Sequence, residues 1–463
     1  MPKKAKKSAP SLSKTAFNKV CRQLEECIVG EHASAAFVCG GTIAIINTNT
    51  ASHEASAKIS KSKSKSTLKP SKPVTIFWTA KNDDSKASKL VLPLGNSSSS
   101  SSTDATTPAV DRLSQLVDDC EPAGFGKGQE AVMNLEYRKA GKLDPEQFAT
   151  TFHPADFGII ENIEQVLVPN LNEANEALFT FRRVEAELYK LNIYSGPSGL
   201  FKKHVDTPRS KTQIGSLVVC LPSSFEGGNL IIEHDGKEAD FDWQVQSADT
   251  IQWAAFYSDC EHEIKTITQG ERVTLTYNLY IADALSGASI PSSIDPNVFP
   301  LHGELKTILS MPGFMKSGGV FGIFCSHAYP HTSKNASALL PSCLKGSDLV
   351  LYAVMHSLGM KVDVLPVLMY ENDDDYNREG LSDGSSDEDT SYSTYKSFDK
   401  EVLVGDQLRG EFYAGDFYDD SSSKIIQESC ERRVYKKPIT WITTPTNGNE
   451  KIAMIYGSYG NEP

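Results

Sequence analysis

Between Glu185 and Ala284 the apolar residues come in short runs separated by turn residues, which is the pattern of closely spaced β-strands. The runs are Leu188 to Tyr194, Ile214 to Leu221, Asn229 to Glu233, Thr250 to Tyr257 and Arg272 to Ile281. Turn signals fall between them at Ser195-Gly196-Pro197, Glu226-Gly227-Gly228 and Gln269-Gly270. So many short strands in so little chain predict a double-sheet jelly roll, whose wrap protects the sheet edges.

On the N-terminal side, Ala36 to Cys39 and Thr42 to Ile46 flank Gly40-Gly41 and predict a tight hairpin, and Pro73 to Trp78 predicts another strand. Val110 to Val117 and Pro145 to Phe148 open helical territory. Leu171 to Arg183 places Ala174, Ala177, Leu178 and Phe181 on one helical face. On the C-terminal side, Asp348 to Met360 predicts a helix ended by Gly359, followed by a strand from Lys361 to Tyr370 and closing strands near Ile439 and over Lys451 to Tyr456. Ser56 to Lys72, Gly95 to Pro108 and Glu371 to Thr394 are polar and predict solvated insertions. The expected fold class is mixed α+β, with a double-stranded β-helix (jelly roll) core at 185–284. Around it we expect a basic disordered tail at 1–15, an N-terminal β-hairpin region at 16–109 and a helical support region at 110–184. A C-terminal mixed α/β region at 285–463 carries an acidic loop at 371–394.

The length of 463 residues asks for two or three packed units, or one large domain with insertions. Nine cysteines without a Cys-x-x-Cys pair argue against a disulfide framework and a thiolate zinc site, and fit a reducing compartment. Lys3, Lys4, Lys6 and Lys7 are followed by no apolar segment, and no later segment reaches the length of a membrane span. We expect an intracellular protein, cytoplasmic or nuclear, with no membrane partner; a solvated tail is preferred over a nuclear-import address. The net charge of −13 argues against broad attraction to nucleic acid.

Within the strand-rich segment, His204 and Asp206 in His204-Val205-Asp206 point to one side of an extended chain. His262 follows the apolar strand Ile251 to Tyr257, where a closing strand would begin. Two imidazoles and a carboxylate can hold one face of an Fe(II) octahedron and leave the other positions to substrate and oxygen. Arg272, ten residues past His262, can grip a dicarboxylate through a two-pronged ion pair. Thr274, on the same side as Arg272, could add a hydroxyl, and the Tyr194 phenol could reach the same anion, although an aromatic at a strand end is usually core. An isolated His-x-Asp is more often a surface hydrogen bond; His262 and the arginine make the composite specific. His234 reads as a solvent-facing hairpin-tip histidine, with Gln244 where the cation should be. His327 and His331 have helical ligand spacing, but Pro330 interrupts such a helix.

These motifs resemble the prolyl 4-hydroxylase-like branch of the Fe(II)/2-oxoglutarate dioxygenases. The resemblance rests on Asn192-Ile193-Tyr194-Ser195-Gly196, Phe201 to Asp206, Glu261-His262-Glu263 and Arg272-Val273-Thr274. Gly215 to Val219, Gly227 to Leu230 and Trp253 to Glu263 are more closely similar to fungal and microbial members. The resemblance implies that His204, Asp206 and His262 bind Fe(II), and that Arg272 with Tyr194 and Thr274 holds the distal carboxylate of 2-oxoglutarate. It also implies O2 as cosubstrate, L-ascorbate to keep the iron reduced, and hydroxylation of an unidentified primary substrate, such as a peptidyl proline. Collagen-type members carry lysine at the position of Arg272, so their substrate does not transfer. Halogenating relatives lack the carboxylate that Asp206 retains. Two other functions compete: a catalytically silent jelly-roll scaffold working through its acidic loop, and an oxidative demethylase of nucleic acid. The demethylase would need a basic groove with exposed aromatics, which Lys202-Lys203 and Arg209 alone do not make.

Overall fold

The computed structural model describes residues 11–45, 71–81, 83–94, 109–127, 130–171, 182–283, 293–315, 318–329, 340, 342–367, 403–408, 411–414, 431–434, 438–444 and 451–458. The polar stretches read as insertions lie largely outside these residues, as do His331 and most of Leu171 to Arg183. The chain divides into two compact units, one of 36–170 with 180–293 and one of 1–35, 171–179 and 294–463.

The first unit is built on nine principal strands: β1 (Val38–Ala44), β2 (Arg182–Ser195), β3 (Gly199–His204), β4 (Gln213–Cys220), β5 (Phe225–Gly227), β6 (Leu230–His234), β7 (Lys237–Phe241), β8 (Thr250–Tyr257) and β9 (Glu261–Asp283). The major sheet runs β1-β8-β4-β9-β2 and continues through Gly141–Leu143 to Glu121–Pro122. In the minor sheet, Arg138–Lys139 pairs with β3, β3 with β9, β9 with β6 and β6 with β7. Strand β9 belongs to both sheets. Its first part pairs with β3 and β6, and its part from Glu271 onward pairs with β2, reaching β4 from Thr274. Gln269-Gly270, read above as a turn, is therefore a bend inside one long strand, with Gly270 at φ 74°. Glycine meets that backbone without the steric cost of a side chain.

The predicted Gly40-Gly41 hairpin is a second difference. Both glycines lie within β1, which pairs without interruption against β8. A Cβ on Gly40 would come within 2.7 Å of the Trp253 carbonyl oxygen, and one on Gly41 within 3.1 Å of the Trp253 indole nitrogen. The glycines make room for a neighbour rather than a turn.

Alternation along the major sheet sorts its side chains sharply. Leu217, Val219, Trp253, Tyr257, Val273, Leu275 and Leu279 face one side and are almost fully buried. This apolar layer packs with Ile159 and Ile163 of the helix Ile159–Leu167 in one core. On β2 the apolar positions are even up to Leu188 and odd from Leu191, and a bulge between Leu188 and Lys190 shifts the phase so that all of them stay on that side. The region read as helical holds the helices Ala109–Asp119 and Ile159–Leu167, with short strands between them, including Phe148–Thr150.

The second unit contains a five-stranded sheet ordered Met360–Val367, Lys451–Ser458, Val320–Phe324, Ile439–Trp441 and Gln407–Leu408. Helix Gly346–Ser357 and the two closing strands fall near their predicted positions. Helix Lys14–Ser34 went unpredicted; Val20, Cys21, Leu24 and Ile28 form its buried stripe. In this unit Asp348 is fully buried and accepts hydrogen bonds from the Ser326 and His327 amides and from the Tyr329 hydroxyl. No helix among the described residues is long and apolar enough to cross a membrane.

Gly215 leaves no room for a side chain against β8, since a Cβ there would lie 2.1 Å from the Phe256 carbonyl oxygen. Gly215→Ala is expected to destabilise the chain by about 1–3 kcal/mol, as overpacking of a filled core does. A lower denaturant midpoint at unchanged slope would register it.

Candidate metal and anion site

The opposite side of the major sheet is also largely buried, but it mixes polar residues with Val218, Ala254 and Phe256. Register places Asn192 and Tyr194 of β2, Ser216 and Cys220 of β4, Gln252 of β8, and Arg272, Thr274 and Asn278 of β9 on this inner face. Each of them is 5 % exposed or less. An interior face composed this way is costly unless its polar groups serve one another or a ligand.

His204 ends β3 and lies directly opposite His262 on β9, so both imidazoles project from the same face of the minor sheet. Asp206 follows two residues later. Its Oδ1 is 3.9 Å from His204 Nε2 and 3.7 Å from His262 Nε2. Two ligand atoms, each about 2 Å from a common ion, are separated by no more than about 4 Å. The three residues thus stand at distances that one metal ion can span.

The surroundings prepare each donor. His204 Nδ1 lies 2.8 Å from the Lys202 carbonyl oxygen and His262 Nδ1 lies 3.1 Å from that of Cys260. With a carbonyl as acceptor, the proton resides on Nδ1 and the Nε2 lone pair is left for a metal. Burial, helped by the neighbouring His262, lowers His204 to about 3 and keeps it neutral. Burial opposes ionisation of Asp206. His262, the Ser216 hydroxyl and His204 outweigh it, and the carboxyl is held below its ordinary value. Ser216 Oγ donates to Asp206 Oδ2 at 2.6 Å and leaves Oδ1 toward the histidines. Two imidazoles and a carboxylate are the donor set of a non-heme Fe(II) centre. Phe201 stacks on His204 with ring centroids 3.6 Å apart, and Phe256 lies against His262 at 4.6 Å.

Arg272 is fully buried. Its Nη1 donates to the Gly228 carbonyl oxygen at 2.5 Å, while Nε and Nη2 have no hydrogen-bond partner among the described residues. Trp243 and Phe225 face the guanidinium at 5.0 and 5.8 Å from their ring centroids. Tyr194 is its cross-strand neighbour. Thr274 is on the same face, but its hydroxyl donates to the Asn192 carbonyl oxygen at 3.2 Å, which commits the proton that the sequence reading had assigned to an anion.

Other inner-face residues escaped the sequence reading. Arg138 Nη2 donates to Asn192 Oδ1 at 2.9 Å, and Asn192 Nδ2 in turn donates to Thr276 Oγ1 at 3.1 Å. The Arg138 guanidinium also lies 4.3 Å from the Phe201 ring centre. The signal for part of this set was the polar series Arg272, Thr274, Thr276 and Asn278 at every second place in an otherwise apolar strand. His234, expected at a solvent-facing tip, closes β6 beside the Asp235-Gly236 turn and is half-buried.

Residues 189–280 match the family model of the 2OG-Fe(II) oxygenase superfamily. Among solved structures, the chain is similar to a prolyl-4-hydroxylase of Pseudomonas putida at 19% identity, covering 37% of this chain and 83% of that one, with a TM-score of 0.23. It is also similar to a prolyl hydroxylase of Trichoplax adhaerens in complex with a hypoxia inducible factor oxygen degradation domain peptide fragment. There the identity is 15%, the coverage 34% and 70%, and the TM-score 0.21. None of the curated proteins matches the chain. The matched segment carries the histidine pair, Asp206 and Arg272.

If the Ser216 hydroxyl orients Asp206 for a metal, Ser216→Ala is expected to weaken Fe(II) binding about 10- to 100-fold, the usual cost of losing a group that holds a ligand in place. Anaerobic metal titration of the folded variant would check this. Unchanged affinity would reduce the hydroxyl to a structural donor.

Proposed function

We propose that the chain uses Fe(II), 2-oxoglutarate and O2 to hydroxylate a C–H bond of a peptidyl residue such as proline. The matched 2OG-Fe(II) oxygenase domain makes the chain an oxidoreductase of the dioxygenase type. In our reading His204, Asp206 and His262 hold the iron, and Arg272 holds the distal carboxylate of 2-oxoglutarate. One observation carries that reading. The Nε and Nη2 nitrogens of a fully buried guanidinium have no hydrogen-bond partner among the described residues, on the same strand that presents His262. A carboxylate would take both in the fork geometry specific to arginine. Tyr194, the cross-strand neighbour of Arg272, would add a second donor in this reading, in place of the committed Thr274 hydroxyl.

Bound iron would supply the activation of O2, one oxygen atom going to succinate as 2-oxoglutarate loses CO2 and the other to the hydroxyl of the substrate. The residues of the chain do the positioning. Carbonyl-fixed imidazoles present their lone pairs, Ser216 aims one carboxylate oxygen, and Phe201 and Phe256 limit water around the rings. The peptidyl substrate is favoured by a shallow site. The His204 and Asp206 side chains are 14 and 31 % exposed, and Val205 between them is 47 % exposed. A side chain extended from a macromolecule could reach such a site without being engulfed.

Arg272→Ala is expected to weaken 2-oxoglutarate binding by about 2–5 kcal/mol, because it removes one partner of a buried charge pair. At about 1.4 kcal/mol per tenfold change, the dissociation constant rises roughly thirtyfold or more. Arg272→Lys should fall between, keeping the charge and losing the fork. Calorimetric titration at constant metal decides the matter: unchanged affinity would return Arg272 to a purely structural role.

The substrate class is tested by incubating the iron-loaded chain with 2-oxoglutarate and a proteome extract and mapping peptides that gain one oxygen atom. Asp206→Ala serves as the control. Oxygenated prolyl peptides present only with the intact site are expected. Succinate formation without any oxygenated peptide would refute the peptidyl substrate, and absence of both would leave the jelly roll a scaffold.

A further inference from the structure

The groups around the Arg272 guanidinium come mostly from two short segments, 225–228 and the turn that follows Trp243. Gly228 supplies the carbonyl oxygen that accepts from Nη1, and the Phe225 and Trp243 rings face the charge at 5.8 and 5.0 Å. The Cys220 thiol also lies beside the guanidinium but is no counter-charge, since burial raises it to about 11 although the cation opposes the shift.

Trp243 stands between β7 and β8, at the start of the short turn Gln244–Gln246, and is only 5 % exposed. Hydrogen bonds fix it there from two directions. Gln252 Nε2, on the inner face of β8, donates to the Trp243 carbonyl oxygen at 2.7 Å. On the other side, the Gly227 amide donates to Gln244 Oε1 at 3.0 Å and the Phe225 amide to Ser247 Oγ at 3.4 Å. The turn is thus tied both to the major sheet and to β5, the strand that brings Phe225 to the same charge. An indole that only filled space would need no cation; this one lies over a guanidinium at cation–π distance.

The orientation that results is specific. In a planar guanidinium Nε and Nη2 form one edge, which can meet a carboxylate side-on through two parallel hydrogen bonds. These are the two nitrogens without a hydrogen-bond partner among the described residues. With Nη1 held by Gly228 and a ring over the charge, rotation and tilting of the group are both opposed, and that edge stays presented.

We propose that Trp243 is a positioning residue for the cosubstrate, its indole holding the Arg272 guanidinium with the Nε–Nη2 edge turned to an incoming carboxylate. This role rests on 2-oxoglutarate being the ligand of Arg272, as proposed above. Before the anion arrives, the ring also replaces part of the hydration that the cation lost on burial.

Anaerobic calorimetric titration of the iron-loaded full chain with 2-oxoglutarate tests this through a double-mutant cycle. Trp243→Leu is expected to raise the dissociation constant about 3- to 30-fold, the contribution of a desolvated cation–π contact. In the Arg272→Ala background the same substitution should change it by less than about twofold, because the ring has no cation left to hold. Trp243→Phe, which keeps a ring face, should stay closer to the unmodified chain than Trp243→Leu. Fluorescence gives a second readout: 2-oxoglutarate should change the indole emission of the unmodified chain, since it neutralises a charge beside the ring, and Trp243→Phe should remove that change. Equal effects of Trp243→Leu with and without Arg272 would make the indole a packing residue and overturn the role. If Trp243→Leu fails to fold, the emission decides: no change, or one that survives Trp243→Phe, overturns it. A chain that binds 2-oxoglutarate, responds to Arg272→Ala and ignores Trp243→Leu would refute the role of the indole alone. One that does not bind it, or ignores Arg272→Ala, would refute the cosubstrate reading as well.

Discussion

A guanidinium withdrawn from water with no carboxylate beside it is an expensive thing for a fold to keep, and among the described residues Arg272 is kept in that condition. The charge is contained by one carbonyl oxygen and the faces of two aromatic rings, which meet part of its demand. The remaining demand organises the interior. It explains why one side of the major sheet buries so many polar groups, and why β9 bends at Gly270 so that a single strand contributes His262 to one sheet and Arg272 to the other. A one-residue slip of β9 against β2 would turn the arginine into the apolar layer and Val273 into the polar one. Register is therefore a condition of chemistry as well as of packing.

The two faces divide the work. The apolar layer supplies the burial that makes the sheet rigid, and the polar layer uses that rigidity to hold Ser216, Arg272 and their neighbours in fixed positions. The bulge in β2 keeps this division intact, since without it half of the strand would present its apolar residues to the wrong side. Asp206 belongs to neither strand that carries a histidine partner and is tied instead to β4 through Ser216. The candidate ligand set thus draws on both sheets.

Much of this was legible in the sequence because it depends on local alternation. The runs at 214–221 and 250–257 became strands almost as read, and the His-x-Asp pair met its distant histidine because a closing strand was expected to begin there. What could not be read depends on who the neighbours are. Gly40-Gly41 carries the local signature of a turn, and only the indole of Trp253 across the sheet shows that the missing side chains are a matter of space. Gln269-Gly270 has the same ambiguity, since a positive φ serves a bend and a turn alike. The parallel pairing of Val320–Phe324 with Ile439–Trp441 joins strands more than a hundred residues apart in sequence, and no local pattern announces it. Arg138 was missed because its partners Asn192 and Phe201 are brought to it by the fold alone.

The two histidines of the candidate metal site share one more property: each ring is anchored through Nδ1 to a backbone carbonyl two residues earlier in the chain. The rings are therefore held by the main chain and not by exchangeable side chains. Loading of such a centre requires no ring flip and no proton moved between the imidazole nitrogens. Entry of a metal would then be governed by access of the ion and loss of its bound water, and not by rearrangement of the two rings.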